Sequence, residues 1–200
     1  METIKYKKMD KNKIINSLIS GGILAFPTDT VFGLGCIMDR KAIEKIYEVK
    51  GRSFDKPLPM MCSNLKMIEE VAYVSEKAKK IIDAFVPGPL TLIFKKKENV
   101  KDYITQGKKT IGIRVPDDEF ILDLIDSLNM PLMVTSANNS GEPSLAKWKD
   151  VYGIMKGKID GIVCEDARGE VSSTIIDVSD DIKILREGPI SLAQIMEVTK

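Results

Sequence analysis

Along the whole chain, apolar residues switch between helical and strand spacing, and no linker or low-complexity segment interrupts the alternation. That pattern excludes an all-helical bundle and an all-β sandwich, because each needs one period sustained throughout. Ile14, Ile15, Leu18 and Ile19 share one helical face, and Gly21-Gly22 stops it with a left-handed cap. "ILAF" (23–26) reads as a short buried strand. Residues 39–49 predict a helix with Ala42, Ile43, Ile46, Tyr47 and Val49 on its inner stripe and Asp39 as N-cap. Ser75 caps a helix over 75–86, which "PGP" (87–89) ends.

Strand spacing returns at "LTLIF" (90–94) and "TIGIRV" (110–115), then a helix over 117–128 and a strand at "PLMVT" (131–135). A short helix is expected around 145–152, with strands near 160–164, 173–178 and 182–186. Ser191 and Gln194 form a capping box that opens the last helix. Regular βαβ alternation fails between 160 and 186, so the expected class is α/β with a mixed, partly antiparallel sheet. One domain over 1–200 is expected, large enough to bury roughly 70% of its unfolded surface without disulfide or metal.

Charge narrows the function. Lys and Arg total 30 against 29 Asp and Glu, a net charge of +1, which argues against an indiscriminate nucleic-acid or membrane binder. There is no histidine, so Ser-His and Cys-His nucleophile pairs and His-based metal sites are excluded. Cys36, Cys62 and Cys164 are odd in number and far apart, which fits a reducing compartment, and Cys36 and Cys62 read as small apolar residues. The first thirteen residues are polar and no apolar run approaches a membrane span, so a soluble cytoplasmic protein is expected.

Four stretches carry residues that plain structure does not require. In "FPTDTVFGLG" (26–35), Gly33 and Gly35 after Pro27 allow either a close backbone approach to a ligand or a neighbour, or a hydrogen-bonded turn. "EVKGRSFDKPL" (48–58) sets Lys50, Arg52 and Lys56 in one loop, as a triphosphate site or a solvated turn. In "TIGIRV", Ile111, Ile113 and Val115 face the core while Thr110, Gly112 and Arg114 share the other face. Gly112 there leaves a gap where a small anion could rest against Arg114. "VTSANNSGEPS" (134–144) ends a strand in short hydrogen-bonding groups, including Ser136, Asn138 and Ser144. Neither a Walker A loop nor a dinucleotide fingerprint is present.

Together with "VPGPLTLIF", "SSTIIDV" and "LREGP", these blocks stand in the order found in the YrdC family of threonylcarbamoyl-AMP synthases, and the chain resembles that family from about residue 12 to its last helix. The family's K-x-R and S-x-N signature appears as Lys50-Gly51-Arg52 and Ser136-Ala137-Asn138. The resemblance implies an open, twisted, mixed parallel and antiparallel sheet flanked by helices, with a concave basic face. It implies a nucleotidyltransferase that condenses L-threonine, bicarbonate and ATP, with Mg²⁺, to threonylcarbamoyl-AMP and pyrophosphate. The product would feed tRNA modification through a downstream threonylcarbamoyl-transfer complex.

Carried over by position, the resemblance gives Lys50, Arg52, Lys56, Thr110, Ser136, Asn138, Ser144 and Arg186 to ATP, with Lys50 and Arg52 catalytic. It gives Thr30, Arg114 and Ser173 to threonine, Arg114 pairing with the carboxylate. Ser53 stands where the family commonly has proline, and Met61 aligns with a histidine of some longer relatives. Those relatives carry a second C-terminal domain, so the short form is expected here. The alternatives are a non-catalytic tRNA or double-stranded-RNA module, and a carbamoyl-adenylate activity like that of the related domain in hydrogenase maturation proteins.

Overall fold

Local capping bonds decide where most helices begin. The protein is described by a computed structural model over residues 2–200. Its elements begin with β1 (Ile4–Tyr6), α1 (Lys11–Ile19), β2 (Leu24–Phe26), β3 (Gly33–Cys36), α2 (Arg40–Lys50), β4 (Met60–Met61), α3 (Leu65–Val71) and β5 (Ala72–Tyr73). They continue with α4 (Glu76–Phe85), β6 (Leu90–Lys96), α5 (Asp102–Thr105), β7 (Thr110–Arg114), α6 (Glu119–Leu128) and β8 (Leu132–Ser136). The last are α7 (Trp148–Met155), β9 (Gly161–Val163), β10 (Thr174–Asp177), β11 (Lys183–Arg186) and α8 (Leu192–Val198).

The expected caps are present. Asp39 accepts from the Ala42 amide at 2.9 Å, Ser75 from Ala78 at 3.2 Å, and Ser191 exchanges bonds with Gln194 at 2.9 and 3.3 Å. Asn64 and Asp118 do the same for α3 and α6. Each such cap stabilises its helix by about 1 kcal/mol. At the other end of α2, Gly51 is left-handed (φ 58°), its amide bonds the Glu48 carbonyl, and the Arg52 amide bonds that of Tyr47. This paired closure turns the chain sharply just after Lys50.

The strands form one mixed sheet in the order β1-β9-β2-β3-β8-β4-β7-β6-β10-β11, with β5 also paired to β6. Pairs β1-β9, β9-β2, β4-β7 and β6-β10 are parallel, and the other neighbours are antiparallel. Alternate residues feed two apolar layers. Ile23 and Ala25 join Phe32, Ile46, Tyr47, Phe94 and Ile113 on one face; Leu24 and Phe26 join Ile14, Leu18, Leu124 and Ile125 of α1 and α6 on the other. Over β4, β7, β6 and β10 that second face carries Met61, Arg114, Thr91 and Ile175, and a cavity opens there instead of a helix-covered core.

Three expectations change. "GLGC" is strand β3 rather than a turn, because Gly33 and Gly35 lie under the Phe26 ring and Val134; a Cβ on Gly35 would sit 2.8 Å from Phe26 Cζ. The helix expected around 145–152 starts later, at Trp148. Residues before it are extended, since the Leu145 and Ala146 carbonyls accept from the Phe32 and Ala167 amides. Finally, β1, β4, α3, β5 and α5 were not anticipated, and all are too short to establish a period. The packing predicts that Gly35→Ala destabilises the fold by about 1–3 kcal/mol through overpacking, read as a lower urea midpoint with an unchanged slope.

Candidate active site

The cavity on the open face has a volume of about 150 Å³. That is the scale of a site for a benzene-sized molecule, well below the few hundred Å³ that drug-sized ligands occupy. Its walls bring together Thr30, Arg52, Arg114, Ser136, Ser173 and Arg186, six residues singled out from sequence, although they come from six separate segments. Thr28, Thr91 and Ser172 add hydroxyls, and Phe32, Met61 and Val134 supply apolar wall.

Arg114 ends β7 and is 8% exposed. Its Nε donates to the Gly88 carbonyl at 3.2 Å, Nη1 to Thr30 Oγ1 at 2.7 Å, and Nη2 to Asp29 Oδ1 at 2.6 Å. Burial pushes the guanidinium below its usual range, while Asp29 opposes that shift. Thr30 Oγ1 also shares a hydrogen bond with Thr28 Oγ1 at 3.1 Å. Each guanidinium NH₂ has two protons and uses one here, which leaves Arg114 able to bind a further acceptor. The gap expected at Gly112 is not part of the cavity: Gly112 does not line it, and a Cβ there would meet Pro59, Thr91 and Ile93 at ordinary contact.

The three cations of the 50–56 loop go three ways. Lys50 is 3% exposed. Its ammonium donates to the carbonyls of Ser136 and Asn138, with Asn138 Oδ1 at 3.5 Å, and its own carbonyl accepts from the Ser140 amide. It therefore stands behind the Ser136 wall, pinning α2 to the loop after β8. Burial, and then the Arg52 charge, lower its pKa to about 8. Arg52 turns inward on the cavity, held by Nε to the Lys56 carbonyl at 2.9 Å and Nη2 to that of Pro57 at 3.1 Å. Lys56 is exposed, its side chain off the cavity wall, and its carbonyl also accepts from the Tyr47 hydroxyl.

The opposite wall is built the same way. Arg186 donates Nε and Nη2 to the Ser173 carbonyl at 3.0 and 2.8 Å, and Ser173 Oγ shares a bond with Thr91 Oγ1 at 2.9 Å. Burial and then the Arg114 charge lower the Arg186 pKa. Ser144 reaches the wall only through Ser172, at 2.9 Å, and the Asn138 amide is spent on the Asn139 and Glu142 carbonyls. Thr110 lies at the far end of β7 from Arg114, opposite Lys95, and does not line the cavity. Cys36 and Cys62 are buried in the core with raised pKa values, Cys62 at about 12, so neither is a nucleophile here.

Thr28, Asp29, Thr91 and Ser172 were not singled out from sequence. Thr91 was marked by being the one polar residue in "LTLIF"; Asp29 lay unremarked between two threonines. The resulting charge is uneven: three guanidiniums line the cavity, and Arg114 alone has a carboxylate partner there. An anion of modest size fits both the volume and the sign.

A family model for the Sua5/YciO/YrdC domain, described as "Telomere recombination", matches residues 16–188. The chain belongs to this family. A relative from Methanocaldococcus jannaschii is 39% identical over 184 residues, covering 89% of this chain and 85% of the relative. A Bacillus subtilis protein named threonylcarbamoyl-AMP synthase is 40% identical over 181 residues, covering 88% of this chain and 52% of its own length. The fold matches Pyrococcus abyssi Sua5 crystallised with L-threonine at a TM-score of 0.90 and 34% identity, over 98% of this chain and 60% of that one. The chain therefore spans about half the length of the Bacillus relative. The family's mixed open sheet flanked by helices is the fold seen here. No helix among the described residues is long and apolar enough to cross a membrane.

Lys50 generates a pH prediction. Below about pH 8 it is protonated in the folded and unfolded chain alike, and the fold carries the whole desolvation penalty. Between about 8 and the ordinary value of 10.5 the unfolded chain binds more protons, so this group's contribution to stability rises with pH. Wild type should therefore gain stability relative to Lys50→Met between pH 8 and 10 in urea titrations. A gap that stays flat or narrows would show that the buried ammonium does not titrate in this range.

Proposed function

We propose that the chain is an L-threonylcarbamoyladenylate synthase, condensing L-threonine, bicarbonate and ATP with release of pyrophosphate. The observation that carries this reading is the small cavity lined by three guanidiniums, with the ion-paired carboxylate of Asp29 behind one of them, which suits small anions beside a phosphate chain. The name of the Bacillus relative and the threonine bound to the Pyrococcus one support it over a non-catalytic RNA-binding role.

The amino acid's carboxylate takes the unused N–H edges of Arg114, whose orientation is set by Gly88, Thr30 and Asp29. Its amine and bicarbonate form a carbamate, with loss of water, and a carbamate oxygen attacks the α-phosphorus as pyrophosphate leaves. Negative charge grows on the non-bridging oxygens and the leaving diphosphate, and fixed cations stabilise it without reorganising. Arg52 and Arg186, each anchored by carbonyls on the wall, are those cations. At about 150 Å³ the cavity has room for the amino acid, while bicarbonate and the nucleotide lie across its mouth toward Ser136. Lys50 contributes as a positioning residue, its charge acting through the Ser136 carbonyl it holds.

Mg²⁺, bound to the triphosphate, would neutralise part of its charge. Hydroxyls on the cavity wall such as those of Ser136 and Ser172 would hold it, directly or through its waters, which suits an ion that keeps several of them. A histidine-free site is adequate because the work is positioning and electrostatics rather than strong-base catalysis. The product then serves tRNA modification through separate transfer proteins in the cytoplasm.

The test is pyrophosphate release from ATP and Mg²⁺ with and without threonine and bicarbonate. Release should require both, and Arg52→Ala should lower it by about 100-fold or more with an unchanged circular dichroism spectrum. Release indifferent to threonine would remove the substrate assignment. Near-normal turnover by folded Arg52→Ala would remove the phosphate assignment.

A further inference from the structure

Asp29 is a carboxylate with half its hydrogen bonding missing. Its side chain is 7% exposed. Oδ1 accepts from Arg114 Nη2 at 2.6 Å, while Oδ2 is buried and accepts nothing from the described residues. An unpartnered buried carboxylate oxygen is costly, so its retention calls for a donor that arrives from outside the fold. The neighbours cannot supply one. The Thr30 amide and hydroxyl are engaged with Thr28 and Arg114, and the Arg168 guanidinium faces Asp117 and Asp118 at 3.8 and 3.9 Å. Gly169 presses on the backbone carbonyls of Asp29 and Thr30, where a Cβ would lie 2.8 Å from each, so that contact brings acceptors and no donor.

The placement says what kind of donor is missing. Arg114 lines the small cavity, Asp29 lines a second one of about 450 Å³, and Thr30 lines both, so the ion pair lies between them. Oδ2 belongs to the same carboxylate whose Oδ1 lies 2.6 Å from Arg114 Nη2. That short span also separates the carboxylate of an α-amino acid from its ammonium. We propose that Asp29 reads the α-ammonium of the amino-acid substrate with Oδ2, while Arg114 reads its carboxylate. The pair then recognises the zwitterion as a unit and makes Asp29 a specificity-determining residue. This rests on the cavity being an amino-acid site, as argued above.

The test compares two ligands on two proteins by calorimetric titration of the full chain. L-Threonine is set against 2,3-dihydroxybutyrate, the same acid with a hydroxyl in place of the amine. Wild type should prefer threonine by roughly tenfold or more, the scale of a charge-assisted hydrogen bond. Asp29→Asn should lose most of that preference by weakening threonine, with ATP affinity kept as a check on the fold. A loss shared equally by both ligands would mean that Asp29 only orients Arg114, and would overturn the proposal. Should Asp29→Asn fail to fold, Asp29→Glu keeps the charge but shifts Oδ2, and it should narrow the preference; an unchanged preference overturns the proposal equally. Wild type binding neither ligand would instead remove the amino-acid reading of the cavity, and this proposal with it.

Discussion

The guanidinium of Arg114 ties three segments that the chain keeps far apart: the turn at 28–30, the "PGP" turn at 87–89, and the end of β7. A buried cation tolerates few arrangements, because leaving its donors unmet costs several kcal/mol. Satisfying it draws the Thr28–Thr30 turn and Gly88 against the open face of the sheet. Thr28, Thr30 and Arg114 of this junction wall the small cavity, while Asp29, Thr30 and the "PGP" turn wall the larger one. The proposed substrate contact and local folding thus share one side chain.

The remaining cations are restrained by the same means, backbone carbonyls rather than carboxylates. Lys50 is held by Ser136 and Asn138, Arg52 by Lys56 and Pro57, and Arg186 by Ser173. A carbonyl orients a cation without cancelling its charge, so positive potential survives at the wall. Ion-pairing each one would have given a more neutral cavity with little reason to bind an anion. The chain's nearly balanced total charge conceals this local excess, since most of its acidic residues lie elsewhere on the surface.

Much of the fold was legible because it rests on short-range rules. Helix α2 has its cap at Asp39 and its stop at Gly51, α4 its cap at Ser75, and α8 its Ser191–Gln194 box, each readable within a few residues. Strand β3 was not, because its glycines answer to Phe26 and Val134, the latter about a hundred residues away in β8. Two-residue strands such as β4 exist only because their neighbours β7 and β8 pair with them.

The candidate site divides along the same line. Ordered motifs in the sequence determined the family and nominated Arg52, Arg114, Ser136, Ser173 and Arg186, since each lies in a block whose residues recur at fixed spacing. Only the tertiary structure decided their directions: Arg52 into the cavity, Lys50 behind its wall, Lys56 toward solvent, Thr110 away at the far end of its strand. It also brought forward Thr91 and Asp29. Local spacing sets which residues share a face, but the direction of a buried charge depends on which distant carbonyl or carboxylate the fold brings within reach.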